Sequence, residues 1–297
     1  MAYPDCWVGY GSASRGMASK AVNVRGNWLA SRGGIGLTLG GNGRMVLLRE
    51  LTDVEDLLRR PIAAQAVIDS LKDGDLFVLR NYFDSERVAA IRNYLATVGR
   101  SSIPNYHAIE AGAPNFHRIN RWDPRAHVQG CFHQFSFFPW NDDVLDLFAT
   151  TRRIYELKNV LSGNPAERFL EQPHSENYAP RLSFQFYPAG TGGLHRHSDP
   201  VSTHQVTVPV MTMSAKGTDF AEGGLFVDVR GERVMVDDVT QPGDVVFFYA
   251  GLPHGVESID PDSSAPWLQF EGRWMLLFAL NHIGVPSQRI DARDLET

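Results

Sequence analysis

At 297 residues the chain can form one large domain or two small ones, so length does not decide domain count. A hydrophobic share of 43% beside 21% charged residues excludes a disordered or fibrous protein, and no run of about 18 apolar residues is present to span a bilayer. The net charge of −6, without a block of Lys and Arg, excludes general nucleic-acid binding, although a small anionic ligand needs only one or two placed arginines.

The opening stretch MAYPDCWVGYGSASRG lacks the charged start and apolar run of a secretory signal. Cys6 and Cys131 lie far apart, so neither a disulfide framework nor a thiolate zinc site is indicated, and a reducing cytoplasm fits. Residues 1–49 are dense in Gly and Ser and are expected to form an irregular arm, since glycine costs about 0.5–1 kcal/mol in a helix or strand. Trp7, Trp28, Ile35 and Leu37 suit a cover over the core better than a free tail.

Residues 50–180 are expected to supply helices and substrate-covering loops. DVEDLLRRPIAAQAVIDSLKDG has apolar positions at three- and four-residue spacing, with Pro61 interrupting the helix or opening a second one. DLFVLRNYF reads as a strand. DSERVAAIRNYLATVG follows as a helix, with Asp84 or Ser85 as N-cap and Gly99 near its end. Between 100 and 140 no period is sustained, and a long loop with short elements is expected there. Its His107, Asn115, His117, Arg118, Asn120, Arg121, Trp122, His133 and Trp140 could fold over a binding site, while Phe132, Phe135 and Phe137 equally suit bracing of the core. DDVLDLFATTRRIYELKNVLSG returns to helical spacing.

From 181 to 283 the texture changes to short runs rich in Val, Phe and Tyr, separated by Gly, Pro and Asp, as in an all-β sandwich or barrel. The fold class expected is α+β with a mainly β core, braced by helices from the first half, in one domain.

HRHSDP within this region places His197 and Asp199 on one face of an extended segment, with Ser198 pointing away and His195 able to share the face. A His-x-Asp alone is weak evidence. GDVVFFYAGLPHGVE adds a strand running into a turn that carries His254. Two imidazoles and a carboxylate on one side of an iron leave other positions open, whereas structural zinc usually takes thiolates. Arg273 then opens GRWMLLFALN, and an arginine at a strand rim can hold a carboxylate through a bidentate pair. EGGLFVDV reads as a tight turn into a strand, not a phosphate cradle, since no helix follows.

FYPAGTGGLHRHSDP, EGGLFVDV, GDVVFFYAGLPHGVE and GRWMLLFALN, in that order, resemble the Fe(II)/2-oxoglutarate-dependent dioxygenase superfamily and, within it, the prolyl-hydroxylase-like branch. The resemblance covers residues 181–283. It implies a double-stranded β-helix, or jelly roll, in which His197, Asp199 and His254 form the catalytic iron triad, Arg273 binds the distal carboxylate of 2-oxoglutarate and Tyr187 hydrogen-bonds this cosubstrate. The implied reaction consumes O2, converts 2-oxoglutarate to succinate and CO2, and hydroxylates an unactivated C–H. Asp199 stands where related halogenases carry a small residue, which favours hydroxylation, with desaturation or ring formation open to the same oxidant. The insert SIDPDSSAPWLQFE between His254 and Arg273 departs from the pattern, and Arg289 and Arg293 lie in the polar C-terminal stretch.

The substrate expected is a polar small molecule, met by His107, His117, Arg118, Asn120, His133 and His195, with His204 structural. Alternatives are a peptidyl, prolyl-type hydroxylase, a jelly-roll binding or sensor module without catalysis, and a cupin-type iron oxygenase that does not use 2-oxoglutarate; Arg273 argues against the last. Nothing in the sequence sets an oligomeric state.

Overall fold

Each apolar run after Pro180 becomes a strand, because alternate residues can face either of two separate apolar layers. The computed structural model describes residues 30–31, 34–38, 45–171, 176–284 and 291–296. The first half contains β1 (Ala30–Ser31), β2 (Gly34–Thr38), β3 (Met45–Glu50), α1 (Val54–Arg59), α2 (Pro61–Lys72), β4 (Leu76–Leu79), α3 (Ser85–Ser101), β5 (Phe116–Arg121), β6 (Gly130–Phe137) and α4 (Leu147–Val160). The second half contains β7 (Tyr178–Pro188), β8 (Gly193–Ser198), β9 (Thr207–Thr212), β10 (Gly224–Val229), β11 (Glu232–Met235), β12 (Val245–Tyr249), β13 (His254–Glu257), β14 (Gly272–His282) and β15 (Arg293–Asp294).

Strands β12-β9-β14-β7 are neighbours in that order, and so are β8-β13-β10-β11. The chain therefore crosses repeatedly between the two four-stranded arrays: β7, β9, β12 and β14 lie in one, and β8, β10, β11 and β13 in the other. This is the double-stranded β-helix, or jelly roll. Strand β6 joins the arrays along one side by pairing with both β7 and β8. On the other side β4 extends the first array beyond β12.

Alternation on the long strands makes two cores. Phe184 and Phe186 of β7, with Trp274, Leu276 and Phe278 of β14, pack with Ile68 of α2, Ile91 and Leu95 of α3, and Ile154 and Leu157 of α4. Tyr187, Val208, Val246, Phe248, Val227, Val256 and Met275 form a second cluster drawn from strands of both arrays. Burying each such aliphatic or aromatic side chain contributes about 1.5–3 kcal/mol, which binds the helices to the β core as firmly as it joins the arrays.

The helix starts follow from side-chain capping. Asp53 accepts from the Asp56 N–H at 2.9 Å, and Asp84, not Ser85, caps α3 by accepting from the Arg87 N–H at 2.7 Å. Pro61 is the first residue of α2, so it opens a second helix. Gly99 lies in the last turn of α3, near its end as expected, and Phe270 and Phe135 pack where a Cβ would project.

Two expectations change. Within the stretch 1–49 expected to be irregular, residues 30–31, 34–38 and 45–49 are strand. In MVLLRE the alternation buries Val46 and Leu48, and β3 pairs in parallel with β4 at Leu48↔Leu76, so pairing offsets the low propensity of the neighbouring glycines. Trp7, Trp28 and the remainder of that stretch lie outside the described residues. The expected loop over 100–140 contains an antiparallel pair, β5 and β6, in register from Phe116↔Ser136 to Arg121↔Cys131. Its period was hidden because both faces mix polar and apolar residues: His117, Ile119, His133 and Phe135 share one face, and Arg118, Asn120, Phe132, Gln134 and Ser136 the other.

Among the described residues no helix is long and apolar enough to cross a membrane.

Candidate metal centre

His197 lies near the end of β8 and His254 begins β13, and the two are directly opposite across the antiparallel pair. The register shifts between His254 and Val256, a bulge that re-aims the side chain at the start of β13. Gly255 permits this approach, since a Cβ there would lie 2.8 Å from the Leu194 carbonyl oxygen and 2.9 Å from that of His195. Asp199 follows β8, and its N–H donates to the Ala250 carbonyl at 3.0 Å, tying the carboxylate to the turn that leads to His254.

One potential ligand atom from each of His197, Asp199 and His254 lies within 4.8 Å of the others, the one such group among the described residues. His254 Nε2 is 3.6 Å from Asp199 Oδ2. Each imidazole has Nδ1 placed 2.8 Å from a backbone carbonyl, His197 on His195 and His254 on Leu252. A carbonyl can only accept, so Nδ1 carries the proton in both rings and each Nε2 keeps its lone pair for a metal. Burial and the neighbouring His254 hold His197 down to about 4, so it is neutral at pH 7. Burial alone would raise Asp199, but His254, His197 and Lys158 more than offset it and keep the carboxyl below its usual range. Two imidazoles presenting Nε2, one carboxylate and no thiolate form a donor set that fits Fe(II) with open positions.

Tyr187 and Arg273 are cross-strand partners on β7 and β14, with the guanidinium 5.8 Å from the ring centroid. The Tyr187 hydroxyl donates to Gln185 Oε1. Arg273 is completely buried, and its Nε/Nη2 edge is held by Asp237, to which the two atoms donate at 2.7 and 3.0 Å. Nη1 is buried without a hydrogen-bond partner. Asp237 thus takes two of the five N–H donors of Arg273, and Nη1 is left to meet a further acceptor.

The residues expected to meet substrate separate. His117 and His133 stack on each other, with His117 Nε2 3.0 Å from His133 Nδ1 and Ser102 Oγ 2.9 Å from His117 Nδ1. They pack against Phe135, Trp267 and Phe270 on the helix side of the sheet. Arg118 donates to Gln134 Oε1, Asn120 accepts from the Asp123 N–H, and His107 packs on Phe116. His195 lies beside the centre as a neighbour, its Nδ1 3.1 Å from Asp294 Oδ2.

The cavity next to the triad has a volume of about 220 Å³ and includes Asp199, Arg181, His204, Gln205, Asn281 and Ile109 in its lining. None of His107, His117, Arg118, Asn120 and His133 is in that lining. Sequence reasoning missed Arg181, Gln205 and Asn281, and also Lys158, which is fully buried and donates to Gln205 Oε1 and the Phe278 carbonyl, each at 3.0 Å. In IYELKNV that lysine reads as a solvent-facing helix position, so only the packing of α4 reveals it. It also missed β15, where Asp294 pairs with His197 along the backbone.

No family model matches the chain, and no curated protein matches it. Its structure is similar to a Pseudomonas putida prolyl-4-hydroxylase at 15% identity, covering 74% of this chain and 100% of that one with a TM-score of 0.47. It is similar to a prolyl hydroxylase from Trichoplax adhaerens in complex with a hypoxia inducible factor peptide fragment at 13% identity, covering 77% and 96% with a TM-score of 0.45. It is also similar to a 2OG-Fe(II) oxygenase family protein from Caulobacter crescentus at 14% identity, covering 78% and 85% with a TM-score of 0.46. Likenesses of this degree decide nothing about activity, and the functional reading rests on the side chains of the site.

Proposed function

We propose that the chain is a single oxygenase domain that binds Fe(II) and 2-oxoglutarate and hydroxylates an unactivated C–H of a polar small molecule. The observation that carries this reading is the buried His197, Asp199 and His254 cluster, with both Nδ1 atoms committed to carbonyls and both Nε2 atoms presented beside one carboxylate. Bound Fe(II) with 2-oxoglutarate and O2 would supply the oxidising power, with succinate and CO2 as coproducts. The chain's own residues place the reactants and exclude water. Arg273 Nη1, buried and unpartnered above Tyr187, is suited to receive one oxygen of the distal carboxylate of 2-oxoglutarate. Asp199, His197 and His254 hold the metal, and no side-chain general base is required. A cavity of about 220 Å³ lies below the usual 300–1,000 Å³ of drug-sized ligand sites and favours a small substrate over a peptide. A reducing cytoplasm suits both ferrous iron and the free, buried Cys131.

Anaerobic titration with Fe(II) and 2-oxoglutarate tests the proposal. The unmodified protein should develop the weak visible metal-to-ligand band, Asp199→Ala should lose it, and Arg273→Ala should require much more 2-oxoglutarate to reach it. Absence of the band in the unmodified protein would sink the proposal.

A further inference from the structure

Three Lys or Arg side chains are buried among the described residues: Lys158, Arg181 and Arg273. Arg273 is paired with Asp237, and the nearby Asp199 carboxylate favours the charged form of Lys158. Arg181 differs. Its Nε donates to Asn281 Oδ1 at 2.7 Å and its Nη1 to Ser136 Oγ at 3.3 Å, both neutral acceptors, and Nη2 is engaged by no described residue. No described carboxylate lies within ion-pair reach of it. The two acidic residues lining the same cavity are already engaged, Asp199 by His254 and Asp291 by His127.

A desolvated guanidinium without a counter-ion destabilises the fold that carries it. Arg181 is 8% exposed, and it lines the cavity that Asp199 also lines. Strand alternation puts Ser183 on the same face of β7, and its Oγ is buried without a partner. The buried Tyr155 hydroxyl, electrostatically coupled to Arg181, is unpartnered too. The neighbourhood thus combines one positive charge without a described counter-ion with unsatisfied hydroxyls, beside the Asp199 carboxylate.

On the oxygenase reading, we infer that the substrate to be oxidised carries a carboxylate and that Arg181 binds it, holding the rest of the molecule on the Asp199 side of the cavity. A single planar monoanion matches a single guanidinium in charge and in shape. Asn281 and Ser136 hold the guanidinium in place and leave its remaining donor for the ligand. The 2-oxoglutarate carboxylate goes elsewhere, to Arg273 Nη1. Arg181 is then a specificity residue whose cost to the fold is offset only when substrate is bound.

The experiment uses the full chain, anaerobic and loaded with Fe(II) and saturating 2-oxoglutarate, and reads binding by saturation-transfer NMR. The probes are L-amino acids and short aliphatic and aromatic carboxylic acids, each beside its primary amide. At least one acid should bind roughly 10- to 100-fold more tightly than its amide, the range of a charge-assisted hydrogen bond. Arg181→Gln should erase that preference and Arg181→Lys should keep part of it. Both variants should leave the 2-oxoglutarate titration within about threefold of wild type, and Arg181→Gln should melt no lower than wild type, because it removes an uncompensated charge. Equal binding of acid and amide by the unmodified protein would overturn the inference. So would an Arg181→Gln variant that loses 2-oxoglutarate affinity instead, since the carboxylate at Arg181 would then be the cosubstrate's, and so would one that unfolds, which would mark Arg181 as structural. Should the visible band be absent in the unmodified protein, the oxygenase reading fails separately, and the acid-against-amide comparison on metal-free protein still tests Arg181.

Discussion

Replacing Asp237 by alanine gives a sharp test of how the barrel interior is built. Asp237 Oδ2 accepts from Arg273 Nε at 2.7 Å and from the Leu225 N–H at 2.6 Å, and Oδ1 accepts from Arg273 Nη2 at 3.0 Å. Both partners of the ion pair are completely enclosed. Gly224, at φ 117°, leaves room for the carboxylate, since a Cβ there would lie 2.5 Å from Oδ2. Removing one member of a buried pair strands the other charge, which costs about 3–5 kcal/mol. The orphaned Leu225 N–H adds about 1 kcal/mol or more. At about 2 °C per kcal/mol for a domain of this size, Asp237→Ala should lower Tm by roughly 8–12 °C. Arg273→Met combined with Asp237→Leu should recover most of this loss, because a well-packed apolar pair often replaces a buried ion pair without penalty. The double variant should still lose 2-oxoglutarate affinity. Calorimetry on Arg273→Met, Asp237→Leu and the double variant closes the cycle. A loss below about 1 kcal/mol for Asp237→Ala, or a double variant no more stable than either single one, would refute the assignment of Asp237 as the required counter-ion of Arg273.

The stacked His117 and His133 should make the protein acid-sensitive in a defined window. Burial holds them down to about 4 and about 3, with His117 adding to the effect on His133. The unfolded chain takes up these protons near pH 6.5, so stability is complete above that value and is lost as pH falls toward 4. Each group contributes up to about 1.4 kcal/mol per pH unit, less where the two titrate together. Urea unfolding at pH 7 and pH 5 should show a smaller loss for His117→Phe/His133→Phe than for the unmodified protein, and equal losses would contradict the reading. Gly255→Ala should push β13 from β8 against the Leu194 and His195 carbonyls. It should weaken Fe(II) binding by on the order of 10–100-fold, the range seen when groups that orient metal ligands are disturbed, while far-UV circular dichroism stays unchanged. Unaltered metal affinity would mean that the bulge is not what aims His254.

Although β13 was expected as a turn carrying His254, six barrel strands, the extended HRHSDP segment and the candidate metal cluster were legible in the sequence. The β5 and β6 pair was not, because two protein-facing sides leave no polar stripe to reveal the period. The substrate candidates on β5 and β6 lie away from the cavity beside Asp199 for a related reason. His117 and His133 share the strand face that packs against the helix-side aromatic cluster, and the parity of a strand is set by its pairing partner, not by its own composition. Arg118 and Asn120, on the other face, satisfy Gln134 and a local turn.

Local periodicity and short ligand spacing are properties of contiguous residues, so the sequence alone determined a β core of alternating strands and a candidate metal centre at His197, Asp199 and His254. Charge compensation depends on distances between residues far apart in the chain. Arg273 was expected to hold a ligand's carboxylate, and the fold brings Asp237 to it across 36 positions; Arg181 looked like one strand residue among many until the fold buried it on the cavity that Asp199 lines, with no described carboxylate in ion-pair reach. Only tertiary structure decides which buried charge already has a partner and which still requires one, because the energy of a charge in a low-dielectric interior is set by its neighbours in space.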